Sequence, residues 1–306
     1  VDKPSGLYDK VKTEDLNRDE MEKRGPNSTA AVSQVGYEQG TYSVPIESIA
    51  YELNDTARKA ANVSRDPSKI IPRVLALKAN IRLERMLALK FMTLATHPWY
   101  RTITGGGSDS VSAGASSTRK YFNSTSTDLV KMVLDEASYM SDVAGQDPDA
   151  MLFSRDAWIA FRTNDSVLAA LTVAGVPVSR NRPATTAEVA ALLELSYVGV
   201  SKATYNSAPK GITESNAKIV PDGTALLYVR GSEGDDPGEW NDEMPVAGAC
   251  QVWADGAGNR EGLRIRRFRN EMAGSGGSDR SEMDTFRDYG TVNAKMGTFF
   301  TGMVGS

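Results

Sequence analysis

The side chains able to do chemistry are few and scattered along these 306 residues. His97 is the one histidine, which leaves almost nothing for a Ser-His couple or an imidazole metal site. It stands beside Pro98 at the expected end of a long helix, where a dipole contact or plain exposure accounts for it. Cys250, the one cysteine, lies in the apolar run 246–253, which predicts a buried, inert thiol and excludes an intramolecular disulfide. Gly105-Gly106-Gly107-Ser108-Asp109 has the glycines of a phosphate loop but neither a lysine nor a following helix start, so it reads as a flexible loop. The acid pairs Asp135-Glu136 and Asp235-Asp236 are sequence neighbours. Adjacent residues do not face each other on a helix, so both pairs are expected on the solvated surface. No Gly-x-Ser-x-Gly elbow, Walker loop or His-Glu-x-x-His motif occurs. No catalytic, cofactor-binding or metal-binding residue is assigned, and no cofactor is expected.

One dense charge cluster remains, Arg264-Ile265-Arg266-Arg267-Phe268-Arg269. Leu263 and Ile265 alternate with Arg264 and Arg266, which is strand geometry. Two readings stay open. Arg264, Arg266, Arg267 and Arg269 meet phosphate or an acidic partner, such as residues 233–243 of a neighbouring subunit, or they face water from a half-exposed strand.

The elements that must position these groups follow from composition and periodicity. The chain is 40% hydrophobic and 24% charged, enough for a sizeable core, and length allows one or two domains. A net charge of -4 supplies no basic field, so nucleic acid would be enclosed and not gripped. No run reaches the roughly 18 apolar residues of a membrane span. The start lacks a signal core, and a lone cysteine suits a reducing cytoplasm; a soluble intracellular product is expected.

Residues 1–24 interleave both charges around few apolar anchors, so they are disordered or lie on another surface. Val35 and Tyr37, a turn at Gly40, then Tyr42, Val44 and Ile46 read as a β-hairpin that needs support from outside itself. A long helix begins after Asp66-Pro67, with Ser68 or Asp66 as cap and Pro72 in its first turn; its glycine- and proline-free part, 74–95, presents Val74, Leu77, Ile81, Leu87 or Ala88, Phe91 and Ala95 as one stripe, and His97-Pro98 ends it. Residues 102–126 are rich in Gly, Ser and Thr and read as a flexible loop. Helices follow at 126–143, with Thr127 as candidate cap, from 154 through Trp158 and Phe161 towards Leu171, and at 185–195. Strands are expected at 150–153, 197–200, 219–220, 225–229, 246–253 and 263–268, then two more within 288–304. The class is α+β, without internal repeats.

Several stretches, in their order, resemble the major capsid proteins of tailed bacteriophages, a fold shared with encapsulins and the herpesvirus capsid floor. They are Tyr51-Glu52-Leu53-Asn54-Asp55-Thr56-Ala57-Arg58, then Ile81-Arg82-Leu83-Glu84-Arg85, then 147–158 (Asp147-Pro148-Asp149-Ala150 to Trp158). Tyr197-Val198-Gly199-Val200-Ser201 and Gly297-Thr298-Phe299-Phe300-Thr301-Gly302 complete the series. Each motif is loose; the series spans nearly the whole chain. The resemblance implies the tailed-phage capsid fold: an N-terminal arm (1–24), an extended hairpin loop (25–62), a peripheral domain with a spine helix (63–150), an axial domain (151–256) and returning peripheral strands (257–306). Val35, Tyr37, Tyr42, Val44 and Ile46 would then touch the adjacent subunit.

The same resemblance implies a structural virion protein that is not an enzyme and self-assembles into an icosahedral head. Its partners would be itself in pentamers and hexamers, with portal, scaffolding and decoration proteins, and it would enclose double-stranded DNA without sequence-specific binding and without touching a membrane. It would reside in the virion after assembly in the host bacterial cytoplasm. With Val1 as the start, a separate scaffolding protein is expected. The family often expands from a precursor shell, and residues 1–62 would be the moving part. An encapsulin-like nanocompartment shell is the alternative, and a soluble enzyme of unrecognised class a third reading.

Overall fold

Short apolar runs bounded by turn residues make strands that can be buried on both faces, and here such runs come from opposite ends of the chain. The computed structural model describes residues 1, 3–12, 19, 36–54, 67–110, 112, 114–179, 182–231, 246–254, 258, 261–270 and 277–305. In chain order the first elements are β1 (Ser5–Val11), β2 (Tyr37–Ser43), β3 (Glu47–Asn54), α1 (Pro67–Phe91), β4 (Arg101–Gly106), β5 (Ser116–Lys120) and α2 (Leu129–Ala144). There follow β6 (Ala150–Ser154), α3 (Arg155–Arg162), α4 (Asp165–Val173), α5 (Thr186–Leu192), β7 (Tyr197–Ser201), β8 (Thr204–Asn206), β9 (Asn216–Lys218) and β10 (Ala225–Tyr228). The last are β11 (Gly248–Val252), β12 (Leu263–Asn270), β13 (Ser278–Thr285), β14 (Arg287–Thr291), a 3₁₀ turn (Ala294–Met296) and β15 (Gly297–Thr301). The chain divides into two units, one of residues 1–8, 41–87 and 250–290, the other of 9–40, 88–249 and 291–306. The α+β class is as expected.

The second unit is built on a six-stranded sheet of order β5-β4-β15-β10-β6-β7. β10 runs antiparallel to both neighbours, placing Leu226 opposite Leu152 and Phe299. Phe122, Phe153, Phe161, Phe299 and Phe300 are fully buried around it. Phe122 and Phe161 meet edge to face at 5.4 Å, and Phe153 lies 5.2 Å from Phe161, geometries that add to area burial. The stretch 102–126 is no loop: β4 and β5 within it pair in parallel. Gly105 is required because a Cβ there would come within 2.0 Å of the Gly302 carbonyl oxygen. Close backbone approach, not flexibility, explains the glycine.

Local capping chemistry corrects several helix bounds. Asp128, not Thr127, caps α2, its carboxylate accepting from the Lys131 amide at 3.1 Å, and Gly145 closes the helix at φ 71°. The helix expected to run on from Ser154 breaks in two, because the Asn164 side chain accepts from the Ser166 amide and starts α4 afresh. Thr185 and Glu188 form a reciprocal capping box on α5. Residues 219–220 are outside any strand; the chain there ends β9 at Lys218.

In the first unit β12, β13 and β3 form an antiparallel sheet in that order. Leu53, Met283, Ile71, Leu75 and Ala79 make its core, with Ile49 and Leu263 against it. Expectation and structure part over the helix. It starts where expected, at Pro67, whose fixed φ suits a first helical residue, so Pro72 lies inside and not in the first turn. It stops earlier, at Phe91, because Trp99 Nε1 donates to the Phe91 carbonyl at 2.8 Å and Thr93 Oγ1 to that of Ala88 at 3.1 Å. The buried stripe is Ile71, Leu75, Ala79, Leu83, Ala88 and Phe91, while Val74 and Leu77 of the expected stripe face outward. Apolar residues occur on more than one side of this helix, so periodicity alone admitted two phases.

The expected turn at Gly40 is also absent. β2 runs through it and pairs with β1, and the break falls at Pro45, which has no N–H to continue a ladder. Residues 5–11 therefore lie on the chain's own β2. Lys12 N donates to Gly36 O at 3.0 Å, and Lys10 Nζ is 3.2 Å from a Glu38 carboxylate oxygen. Val35 and the remainder of the expected hairpin at 55–62 lie outside the described residues.

Leu75 is 2% exposed and Leu77 60%. Leu75→Ala is expected to lower unfolding free energy by about 2–5 kcal/mol and Leu77→Ala by less than about 0.5 kcal/mol, read by denaturant melts.

Candidate functional site

The arginine strand owes its geometry to a partner rich in acids. In the β12–β13 register Arg264 stands opposite Asp284, Arg266 opposite Glu282, Arg267 opposite Ser281 and Arg269 opposite Asp279. Directly opposed residues share one face, so opposite charges meet at short range. Asp284 is the hub, with its side chain buried. Ser48 Oγ donates to Oδ1 at 2.7 Å, while Arg264 Nη2 and Arg266 Nη2 lie 3.1 and 2.9 Å from Oδ2. Burial by itself raises this carboxyl's pKa, but the Ser48 hydroxyl and the two guanidinium groups outweigh it and hold it below the usual aspartate value. Arg266 also lies 3.7 Å from Glu282, and Arg269 3.6 Å from Asp279. Among the described residues Arg267 has no carboxylate partner.

The residues expected in the extended loop separate in the same manner. Val44 is buried with Phe286, and Tyr42 and Trp253 pack on that pair. Tyr42 also reaches Tyr8, ring centroids 6.5 Å apart. Tyr37 and Ile46 are exposed. Thus Tyr42 and Val44 are used by the chain's own packing, while Tyr37 and Ile46 remain on the surface together with Ile70, Val74 and Leu77 of α1.

A second ionic centre gave little signal in the sequence. Glu136, expected on the solvated surface, is 1% exposed. Arg101 Nε donates to its Oε2 at 2.5 Å and Arg119 Nη2 to Oε1 at 2.9 Å. Arg101 also donates to the carbonyls of Ser112 and Gly114 at 3.0 and 2.6 Å, and its guanidinium carbon lies 3.8 Å from the Tyr139 ring centroid. α2 turns Glu136 inward with Met132, Val133 and Met140, and β4 and β5 bring in the two arginines. Its neighbour Asp135 stays exposed, 3.9 Å from Arg119. Asp235-Asp236 lies outside the described residues.

The lone histidine and cysteine are placed differently from expectation. His97 sits past the helix, its ring 4.6 Å from that of Phe299 and Nε2 3.4 Å from Thr102 Oγ1. Burial lowers its pKa, so it packs as a neutral ring and not as a charged dipole partner. Cys250 is exposed, not buried, although desolvation by its surroundings pushes its thiol pKa up. Among the described residues no group of three His, Cys, Asp or Glu side chains could hold a metal ion. No described helix is long and apolar enough to cross a membrane.

No protein-family model matches the sequence, and no curated protein matches it. Solved structures do resemble it. A phage-related protein from Bordetella bronchiseptica RB50 is similar over 99% of this chain and 88% of that one, at 15% identity and a TM-score of 0.67. The capsid of cyanophage P-SCSP1u is similar over 97% of this chain and 83% of that one, at 10% identity and a TM-score of 0.55. The mature capsid of bacteriophage PhiM1 is similar over 97% and 82%, at 10% identity and a TM-score of 0.50.

Two ionic predictions follow from the distances above. The folded pKa of Asp284 lies below its ordinary 3.8, so its contribution is full above that pH and is lost as pH falls through the folded value. Asp284→Asn is expected to cost about 1.5–3 kcal/mol at pH 7 and to flatten the acid limb of a stability profile taken from pH 7 to 3 by denaturant melts. Glu136→Gln leaves the buried Arg101 guanidinium without a carboxylate and Arg119 with only the exposed Asp135 at 3.9 Å, and a loss of about 3–5 kcal/mol is expected by the same measurement.

Proposed function

We propose that this chain, which has the fold of the phage capsid proteins it resembles, is the shell-building subunit of a tailed-phage head and has no catalytic role. The observation that carries this reading is the extent of the likeness, which covers 97% of this chain and 83% of the cyanophage capsid chain. The surface supports it. Ile70, Val74 and Leu77 are exposed at i, i+4 and i+7 on a 25-residue helix, one apolar stripe that the described chain leaves uncovered. Copies related by closed symmetry can cover such a stripe and limit the edges left open.

In this reading residues 1–24 are the arm, 25–62 the extended loop over a neighbour, 63–150 and 257–306 the peripheral domain, and 151–256 the axial domain that gathers into pentamers and hexamers. Tyr37 and Ile46 are the loop residues left free to touch the neighbour. Portal, scaffolding and decoration proteins are the remaining partners, the virion is the location, and assembly takes place in the host cytoplasm. Double-stranded DNA is enclosed and not read, consistent with a net charge of -4.

Purified full-length chain examined by size-exclusion chromatography and negative-stain microscopy is expected to give closed particles hundreds of ångströms across. A monodisperse small oligomer at every concentration, with or without scaffolding protein, would count against the proposal. Particles purified from infected cells are expected to hold double-stranded DNA; a protein cargo without DNA would favour a nanocompartment.

A further inference from the structure

At the end of the three-stranded sheet away from Leu263, a cleft of about 280 Å³ opens between the sheet and the start of α1. Its floor is apolar, from the buried side chains of Leu53 and Ile71. Its rim carries two arginines, Arg267 and Arg269, which share the Leu53 face in the strand register, and one carboxylate, Asp279. That carboxylate lies 3.6 Å from Arg269, and Arg267 has no carboxylate among the described residues. An apolar floor beside guanidinium groups asks for a ligand that carries carboxylates beside an apolar or aromatic side chain.

The chain has such a segment. Residues 233–243 contain Glu233, Asp235, Asp236, Glu239, Asp242 and Glu243, no lysine, arginine or histidine, and Trp240 between Glu239 and Asp242. The other acid-rich stretch, 9–24, balances six acids with five bases and offers no comparable field. Resting on the shell reading, we propose that the cleft lined by Arg267 and Arg269 docks the acidic segment 233–243 of a second copy, with Trp240 over Leu53 and Ile71. A contact between two different patches of identical chains is heterologous, and such contacts generate rings when the rotation closes, as a capsomer requires. Charge complementarity of this kind sets partner choice and encounter rate more than raw affinity.

The test uses full-length chain throughout. A fluorescein-labelled peptide of residues 232–245 is titrated against unassembled subunits, and particle yield is read by light scattering. Arg267→Glu is expected to weaken peptide binding by about tenfold or more and to reduce particle yield, with its unfolding midpoint unchanged. Arg267→Ala should shift binding in the same direction by less. A chain with Glu239→Arg and Asp242→Arg should also assemble poorly. A mixture of Arg267→Glu chains with Glu239→Arg/Asp242→Arg chains should recover yield, because each cleft then meets an oppositely charged segment in trans.

Peptide binding that Arg267→Glu leaves unchanged would overturn the proposal. So would rescue confined to a single chain carrying all three substitutions, which would put the contact within one copy. Equal competition by double-stranded DNA at the same salt would make the cleft a phosphate site instead. Wild-type chain that forms no particles would sink the shell reading, while the peptide titration would still decide the docking.

Discussion

A strand buried along both edges must find two partners, and β15 finds them in residues far away in the sequence. It lies between β4, to which it is parallel, and β10, to which it is antiparallel, so residues 297–301 hold together 101–104 and 225–228. Gly105 and Gly302 are part of this closure, since the backbones approach too closely for any side chain at 105. Phe299 and Phe300 then fill the sheet's two faces, one near His97 and the other near Phe122. A sheet that takes residues 297–301 between β4 and β10 cannot complete until that segment is present. The cost of long-range closure is met by burial of large aromatics that have no other place to go.

Charge follows a consistent rule in this molecule: buried acids are matched by arginine, not lysine. Glu136 takes Arg101 and Arg119; Asp284 takes Arg264 and Arg266. A guanidinium can serve two acceptors at once, as Arg101 does with Glu136 and the carbonyls of Ser112 and Gly114. These centres tie strands to a helix in one unit and strand to strand in the other. Replacing either with apolar residues could leave stability intact; what an ionic centre adds is a defined register, because a slipped strand would bury an unmatched charge.

The apolar residues that stay outside are as informative as those within. Ile70, Val74 and Leu77 of α1 are the sort of surface an isolated soluble subunit would be expected to avoid in one stripe. The polar residues of β12 are by contrast largely matched, Arg264, Arg266 and Arg269 lying beside Asp284, Glu282 and Asp279 of β13.

The α+β class, the long helix after residue 66, the strands at 150–154, 197–201, 225–228, 248–252 and 263–270, and the lack of catalytic motifs were legible in the amino-acid sequence, because period, turn residues and residue chemistry are local quantities. The phase of α1 was not, since Val74 and Leu77 are as apolar as Ile71 and Leu75 and only the sheet decides which pair it covers. β13 was hidden for a related reason: Ser-Asp-Arg-Ser-Glu-Met-Asp-Thr has little of the β-branched or aromatic character of a strand, and becomes one because its acids at 279, 282 and 284 fall opposite the arginines of β12. Glu136 looked like half of a solvated acid pair until two strands delivered Arg101 and Arg119 to it. Local patterns determined what each segment could become. Which side of it is buried, and which charge is matched, depended on partners in other elements, 17 to 35 residues away for the arginines of the two ionic centres, and that only tertiary structure decides.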